Sequence, residues 1–385
     1  MQDRALGAQR PRFYHPELDA LRFFAFLAVF LHHALPRVAR SYVDLGIPPR
    51  AAGWLVTAVG SGGYGVDLFF VLSSYLITEL LSREQSLRGS VDVRSFYIRR
   101  ALRIWPLYYA FLGMIVVIEP LLVPDHEFPW VHRLSFMALA GNWSCALLDY
   151  PRSVAALLWS VSIEEQFYLV WPLVVATFRG GRLAIAAGGL LVVSTLTRAA
   201  LVAAGVPHPG IWCNTFARLD PIACGALLSI GLRGRNLRMA RAGRWGLAVL
   251  GLILWLGAAR LTSLWRSSSL VGYPAIALAC TLIVASTLRD SRGESEGRAR
   301  WHPLVYLGKI SYGLYVFHVF ALALVDILLA HVAPAGGPGR WALRSSLGLA
   351  ATMLLAAGSY RWLETPFLRL KERFTVVPSG PPEDR

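Results

Sequence analysis

Apolar residues run in long, nearly uninterrupted blocks along this chain, and the charged residues gather between the blocks. Ten blocks are long enough to cross a hydrocarbon core as helices: 18–36, 62–81, 104–123, 159–178, 183–203, 214–232, 245–261, 271–288, 304–330 and 341–363. A soluble core has no need of such blocks recurring along almost the whole length. The N-terminus stays polar until Leu18, and the first block outruns the apolar part of a signal peptide, so no cleavable leader is expected. The expected fold is all-α: a polytopic membrane protein with about ten transmembrane helices. It forms one membrane-embedded domain over residues 1–375, followed by a disordered tail at 376–385, VVPSGPPEDR.

Composition and charge sharpen that picture. Charged residues make up 16% of the chain, against about 25% in soluble domains. An even number of spans puts both termini on one side. The connections on that side carry the dense arginine groups, from Arg83 to Arg103 and from Arg233 to Arg244, while the opposite connections carry few. The positive-inside rule therefore assigns both termini to the cytoplasm. The net charge of +15 is mostly this bias together with attraction to anionic head groups, and it does not imply nucleic acid as a partner. Cys224 and Cys280 fall inside blocks as small core residues; Cys145 and Cys213 fall in outer connections, where a disulfide is permitted. No Cys/His pattern has zinc-ligand spacing and no Gly-rich phosphate loop follows a strand, so neither a metal site nor nucleotide hydrolysis is expected.

Candidate chemistry begins in the first block, LDALRFFAFLAVFLHHALP. Arg22 and His33 are eleven residues apart, which brings them back to one helix face within about 20° and separates them by roughly 16 Å along the axis. His32 points about 80° away. Ionisable groups at such depth are costly and mark function by default. The bland alternative is an interfacial arginine that snorkels and a histidine bonded to a neighbouring helix. Sorting the other polar residues by depth yields two layers. Asp67, Glu164, Glu165, Arg218 and Asp220 fall near the level of His33, whereas Arg99, Arg100, Arg103 and Lys309 fall with Arg22. Arginine forks suit phosphate groups, although clusters at a cytoplasmic helix end are also ordinary topology signals.

The chemistry that fits is group transfer from a phosphate-rich cytoplasmic donor to an acceptor reaching the outer half. Neutral His33 would take a proton from an acceptor hydroxyl as it attacks a carbonyl. Asp67 or Glu165 would fix the imidazole tautomer and stabilise the imidazolium. No G-x-S-x-G turn offers a serine nucleophile, and acylation of His33 itself stays open.

Six stretches then carry a resemblance: ELDALRFFAFLAVFLHHA (17–34), GVDLFFVLSSYLIT (65–78), FYIRRALRIWPLYY (96–109), WSVSIEEQFYLVWPL (159–173), LGKISYGLYVFHV (307–319) and SYRWLETPFLRL (359–370). In this order, and over nearly the whole chain, they resemble the acyltransferase-3 family of integral membrane proteins. The resemblance implies an O-acyltransferase that moves acyl groups, often acetyl, from coenzyme A to hydroxyls of carbohydrates such as surface polysaccharides or lipid-linked glycans. Macrolide-type acceptors are an alternative, and a transporter or flippase is a reading from another class. The family's Arg-x10-His pair falls on Arg22 and His33 and is linked to catalysis. Its Arg-x-x-Arg pair falls on Arg100 and Arg103 and is expected to engage the donor. Acyl-CoA enters as co-substrate, acetyl-CoA first, with no tightly bound cofactor. The implied location is a bacterial inner membrane, multi-pass. Ser74 replaces the family's common Gly, and Thr365 stands where a basic residue is frequent.

Overall fold

The computed structural model describes residues 13–123, 125–232, 239–263, 266–288, 302–332 and 337–377, and among them the chain is helical with no strand. Eleven helices make the body: α1 (Pro16–Ala34), α2 (Pro49–Ser61), α3 (Gly65–Arg88), α4 (Val93–Leu122), α5 (Trp159–Thr177), α6 (Gly181–Ala203), α7 (Leu219–Leu232), α8 (Arg241–Thr262), α9 (Ser269–Thr287), α10 (Ser311–Val332) and α11 (Pro338–Ser359). Six stretches are long and apolar enough to cross a membrane: Pro49–Arg88, Val93–Leu122, Gly181–Ala203, Arg241–Thr262, Ser269–Thr287 and Ser311–Ala330. The other four expected blocks are also helical, as α1, α5, α7 and α11, but they are more polar or, for the 14-residue α7, shorter.

α1 packs against α2, α3, α9, α10 and α11, and it buries Leu18, Phe23, Phe26, Val29 and Phe30 among them. A helix in the middle of a bundle meets protein all round and can carry polar groups that find partners there. A peripheral helix can do so only on the face it buries, as α6 does with Ser194 and Arg198. Only 17% of the apolar window of α6 is buried, against 61% for α10, so α6 presents nearly pure hydrocarbon outward.

Three boundaries differ from the hydropathy reading. The second block does not begin at 62: α2 runs into α3 through one tight turn, Gly62–Tyr64, making a continuous 40-residue rod. That turn leans on α1, where a Cβ on Gly65 would overlap the Ala25 carbonyl and sit 2.7 Å from Val29 Cγ2. The 304–330 block is split into a short helix, His302–Lys309, and α10. The last block ends in a π turn, Tyr360–Glu364, and the short helix Thr365–Glu372 that follows packs against α4. Of the expected tail, Val377 is buried in the core cluster that holds Phe13 and Tyr75, and Val376 packs against it; residues 378–385 lie outside the described residues.

Local signals set the helix ends around the arginines. Gly89 closes α3 with φ +76°, the left-handed cap that glycine accepts without a Cβ penalty. Asp92 then caps α4 by accepting from the Ser95 backbone N–H at 2.9 Å, which launches the FYIRRALR turn at a defined angle.

Candidate active site

The last turn of α1 presents two adjacent histidines with different surroundings. His32 Nδ1 donates to the Val59 carbonyl at 3.2 Å, and its Nε2 accepts from Arg37 at 3.0 Å. Both ring nitrogens are committed. His33 Nδ1 donates to the Val29 carbonyl at 2.9 Å and also lies 3.3 Å from His318 Nε2 on α10. Its Nε2 makes no hydrogen bond among the described residues, and the ring is exposed to a cavity. The backbone beneath is held by Arg344 on α11, which donates to the carbonyls of His33 at 3.0 Å and Ala34 at 2.7 Å and pairs with Asp326 at 2.7 Å. These C-terminal carbonyls would otherwise lack partners.

The cavity beside His33 encloses about 680 Å³. Its walls include Tyr64, Tyr150, Trp159, Trp212 and Tyr273. Trp212 is the hub, with ring centroids 5.3 Å from Tyr64, 5.6 Å from Trp159 and 5.8 Å from Tyr273. Behind that wall the Arg218 guanidinium stacks 4.1 Å from Trp212 and 4.6 Å from Tyr273, and it donates to Asp67 at 2.6 Å. A second buried pair, Arg198 with Asp220, adds Ser194 and the Ala217 carbonyl. Both pairs are fully shielded from solvent. They anchor the aromatic wall. Such a surface offers flat faces and edge polar groups, the mix that holds an amphipathic ligand.

A smaller pocket of about 80 Å³ collects Arg22, Ser73, Arg100, Arg103, Glu164 and Tyr168. Arg22 pairs with Asp19 at 2.8 Å. Arg100 stacks over Tyr168 at 5.0 Å and Phe96 at 5.5 Å. Neither Arg100 nor Arg103 forms an ion pair among the described residues, so their forks are uncommitted. Arg99 differs: it pairs with Glu84 at 3.3 Å and donates to the Phe374 carbonyl at 2.6 Å, and it does not line the pocket. Burial, with Arg103 and Arg100 nearby, pushes the Lys371 ammonium down to about 7. Three arginines against the single carboxylate Glu164 leave the pocket with excess positive charge, which suits an external anion.

The two spaces share a partition. Val66 and Tyr315 line both. The Tyr315 hydroxyl donates to the Leu157 carbonyl at 3.0 Å and accepts from Ser160 at 2.6 Å, which pins the ring in place.

The depth ordering of the carboxylates needs correction. Glu164 lines the arginine pocket, and Glu165 accepts from Trp105 Nε1 at 2.9 Å, so neither stands beside His33. The cause is the turn Val154–Leu158, whose Ala155, Leu157 and Leu158 are buried: the chain is already deep when α5 begins. Asp67 is committed to Arg218. The partner at His33 is instead His318, within LGKISYGLYVFHV; neither it nor Arg198 is among the residues singled out by the sequence patterns above. An ionisable residue deep inside an apolar block is the signal for both. Cys145 and Cys213 are buried free thiols, and Cys213 Sγ lies 3.2 Å from the Tyr150 hydroxyl.

A family model described as an acyltransferase domain matches residues 15–361. The chain is 26% identical over 379 residues to the peptidoglycan O-acetyltransferase OatA of Listeria monocytogenes, covering 92% of this chain and 56% of that protein. It is 28% identical over 382 residues to a Bacillus subtilis protein named as a candidate peptidoglycan O-acetyltransferase, covering 92% and 55%. The chain thus spans little more than half the length of these relatives. No solved structure matches.

Proposed function

The chain belongs to the acyltransferase-3 family, and on that premise we propose that it is an integral membrane O-acyltransferase. It takes an acetyl group from acetyl-CoA at the arginine pocket and delivers it to a hydroxyl of a carbohydrate held in the aromatic cavity. In this reading ten helices cross a bacterial inner membrane, both termini are cytoplasmic, the arginine pocket faces inward and the histidine cavity outward. The carrying observation is His33, which lines the cavity with Nε2 unengaged among the described residues; that cavity backs onto uncommitted arginines across Tyr315 and Val66.

The chemistry follows from these groups. Arg100 and Arg103 bind the donor phosphates through charge-assisted hydrogen bonds, which are about twice as strong as neutral ones. The narrow thioester arm extends past the partition toward His33. The acceptor hydroxyl loses its proton to His33 Nε2 as its oxygen bonds to the thioester carbonyl carbon, and the C–S bond breaks as the tetrahedral adduct collapses. His33 then returns the proton to the leaving thiolate, so the histidine ends neutral. A positioned base of this kind contributes about 10²–10⁴-fold. Sugars suit the cavity because their C–H faces stack on aromatic rings while their hydroxyls remain free at the edges. The relatives' names make peptidoglycan glycan strands the first acceptor to try.

The test is transfer of radiolabel from acetyl-CoA to glycan strands by purified protein in detergent, with a macrolide as the comparison acceptor. Wild type and His32→Ala are expected to label the glycan, and His33→Ala to lose at least a hundredfold in rate with its thermal midpoint intact. Full transfer by a folded His33→Ala variant would overturn the assignment.

A further inference from the structure

We propose that His318 is a positioning residue for His33: its Nε2 accepts the His33 Nδ1 proton and holds His33 in the tautomer whose Nε2 lone pair faces the cavity. The inference rests on the reading of His33 as the base and adds a residue that reading does not contain.

The argument is one of donors and acceptors. His318 has no exposed surface, and its Nδ1 lies 2.5 Å from the Tyr315 carbonyl. A carbonyl oxygen only accepts, so Nδ1 carries a proton there. A neutral imidazole has one N–H, which leaves a lone pair on His318 Nε2. The same rule applies at His33, where the Val29 carbonyl at 2.9 Å requires a proton on Nδ1. That proton lies between two acceptors, Val29 O and His318 Nε2 at 3.3 Å. Moving it to His33 Nε2 would bring three acceptors together with no proton among them. Protonating His318 Nε2 would set two N–H groups against each other. One arrangement satisfies every atom, and it leaves His33 Nε2 bare on the cavity side.

Packing keeps the pair in register. The two rings meet edge to face, with centroids 5.0 Å apart and planes at 66°. Phe26 at 6.1 Å and Tyr315 at 5.5 Å flank the His318 ring. The carbonyl that orients His318 belongs to Tyr315, whose side chain forms the partition, so one turn of α10 sets both the base and the barrier. When His33 Nε2 takes the hydroxyl proton, the new positive charge is shared with Nδ1–H, and His318 Nε2 is already placed to accept from it. A neutral imidazole thereby fills the orienting place that a carboxylate holds in hydrolase triads.

Two variants and one spectrum test this. His318→Gln keeps an acceptor near the Nε2 position, and His318→Leu removes it. The Leu variant is expected to lose about 10²-fold or more in kcat at unchanged KM for acetyl-CoA, and the Gln variant to recover most of that loss. Solid-state NMR of 15N-histidine-labelled protein in lipid, with His33→Ala identifying the resonance, is expected to report an unprotonated Nε2 on His33 in wild type. A wild-type signal protonated at Nε2 overturns the proposal without reference to activity. So does a folded Leu variant with wild-type kcat, or a Gln variant no faster than Leu at an equal thermal midpoint. Inactive His33→Ala beside fully active His318→Leu would sink this inference alone and leave the base in place.

Discussion

Asp67→Asn separates a structural carboxylate from a catalytic one. Asp67 and Arg218 are each 1% exposed and meet at 2.6 Å through Arg218 Nη2 and Asp67 Oδ2, while Asp67 Oδ1 and Arg218 Nε and Nη1 have no hydrogen-bond partner among the described residues. Removing the anion leaves a guanidinium buried between Trp212 and Tyr273 with no counter-charge. Breaking a buried pair from one side costs about 3–5 kcal/mol, or two to four decades in folded fraction. For a chain of this size the thermal midpoint should fall by roughly 4–6 °C. The double variant Asp67→Asn/Arg218→Gln removes both charges and keeps an amide pair, so it should recover most of that fall. Midpoints read by size-exclusion fluorescence of heated detergent samples complete the cycle, and transfer rates are taken per folded molecule below each midpoint. Rates within about tenfold of wild type are expected for both variants, because the pair supports the aromatic wall without touching His33. An unchanged midpoint with transfer reduced several hundredfold, unrepaired by the second substitution, would refute the reasoning and return Asp67 to the chemistry.

Other outcomes follow from the same geometry. Arg100→Gln and Arg103→Gln should each weaken coenzyme A binding by calorimetry about 10–100-fold, the worth of a charge-assisted contact. Arg99→Gln should instead lower the midpoint and spare affinity, since Arg99 is tied to Glu84 and Phe374; equal affinity losses at all three would mark a diffuse field. Lys371 sits near 7, so above that pH it is largely neutral in the free protein. Phosphates bound beside it raise that value, and coenzyme A binding at pH 8 should take up protons, read from titrations in buffers of different ionisation heat. Zero uptake, or uptake that survives Lys371→Met, contradicts this. Gly65→Ala, whose Cβ overlaps α1, should destabilise by about 1–3 kcal/mol and slow transfer, whereas Gly113→Ala, with nothing within 4 Å, should be neutral or slightly stabilising.

Hydropathy and motif order by themselves determined that this chain is helical, apolar enough for a bilayer and a member of its family. Those properties are written in runs of twenty residues, and one helix at a time suffices to read them. The separation of Arg22 from His33 was equally legible, because 3.6 residues per turn is a local rule, and the two residues do line different spaces. The partners of the charges were not legible. Asp67 finds Arg218 across 151 positions, and His33 finds His318 across 285. Depth ordering assumes that every helix begins at the membrane surface. α5 begins below the protein surface after a buried turn, so Glu164 meets the arginines and Glu165 meets Trp105 in place of the histidine. Which nitrogen of His33 faces the cavity is likewise a tertiary decision. It depends on a carbonyl one turn back in α1 and on an imidazole from α10, and only packing brings the second of these within reach.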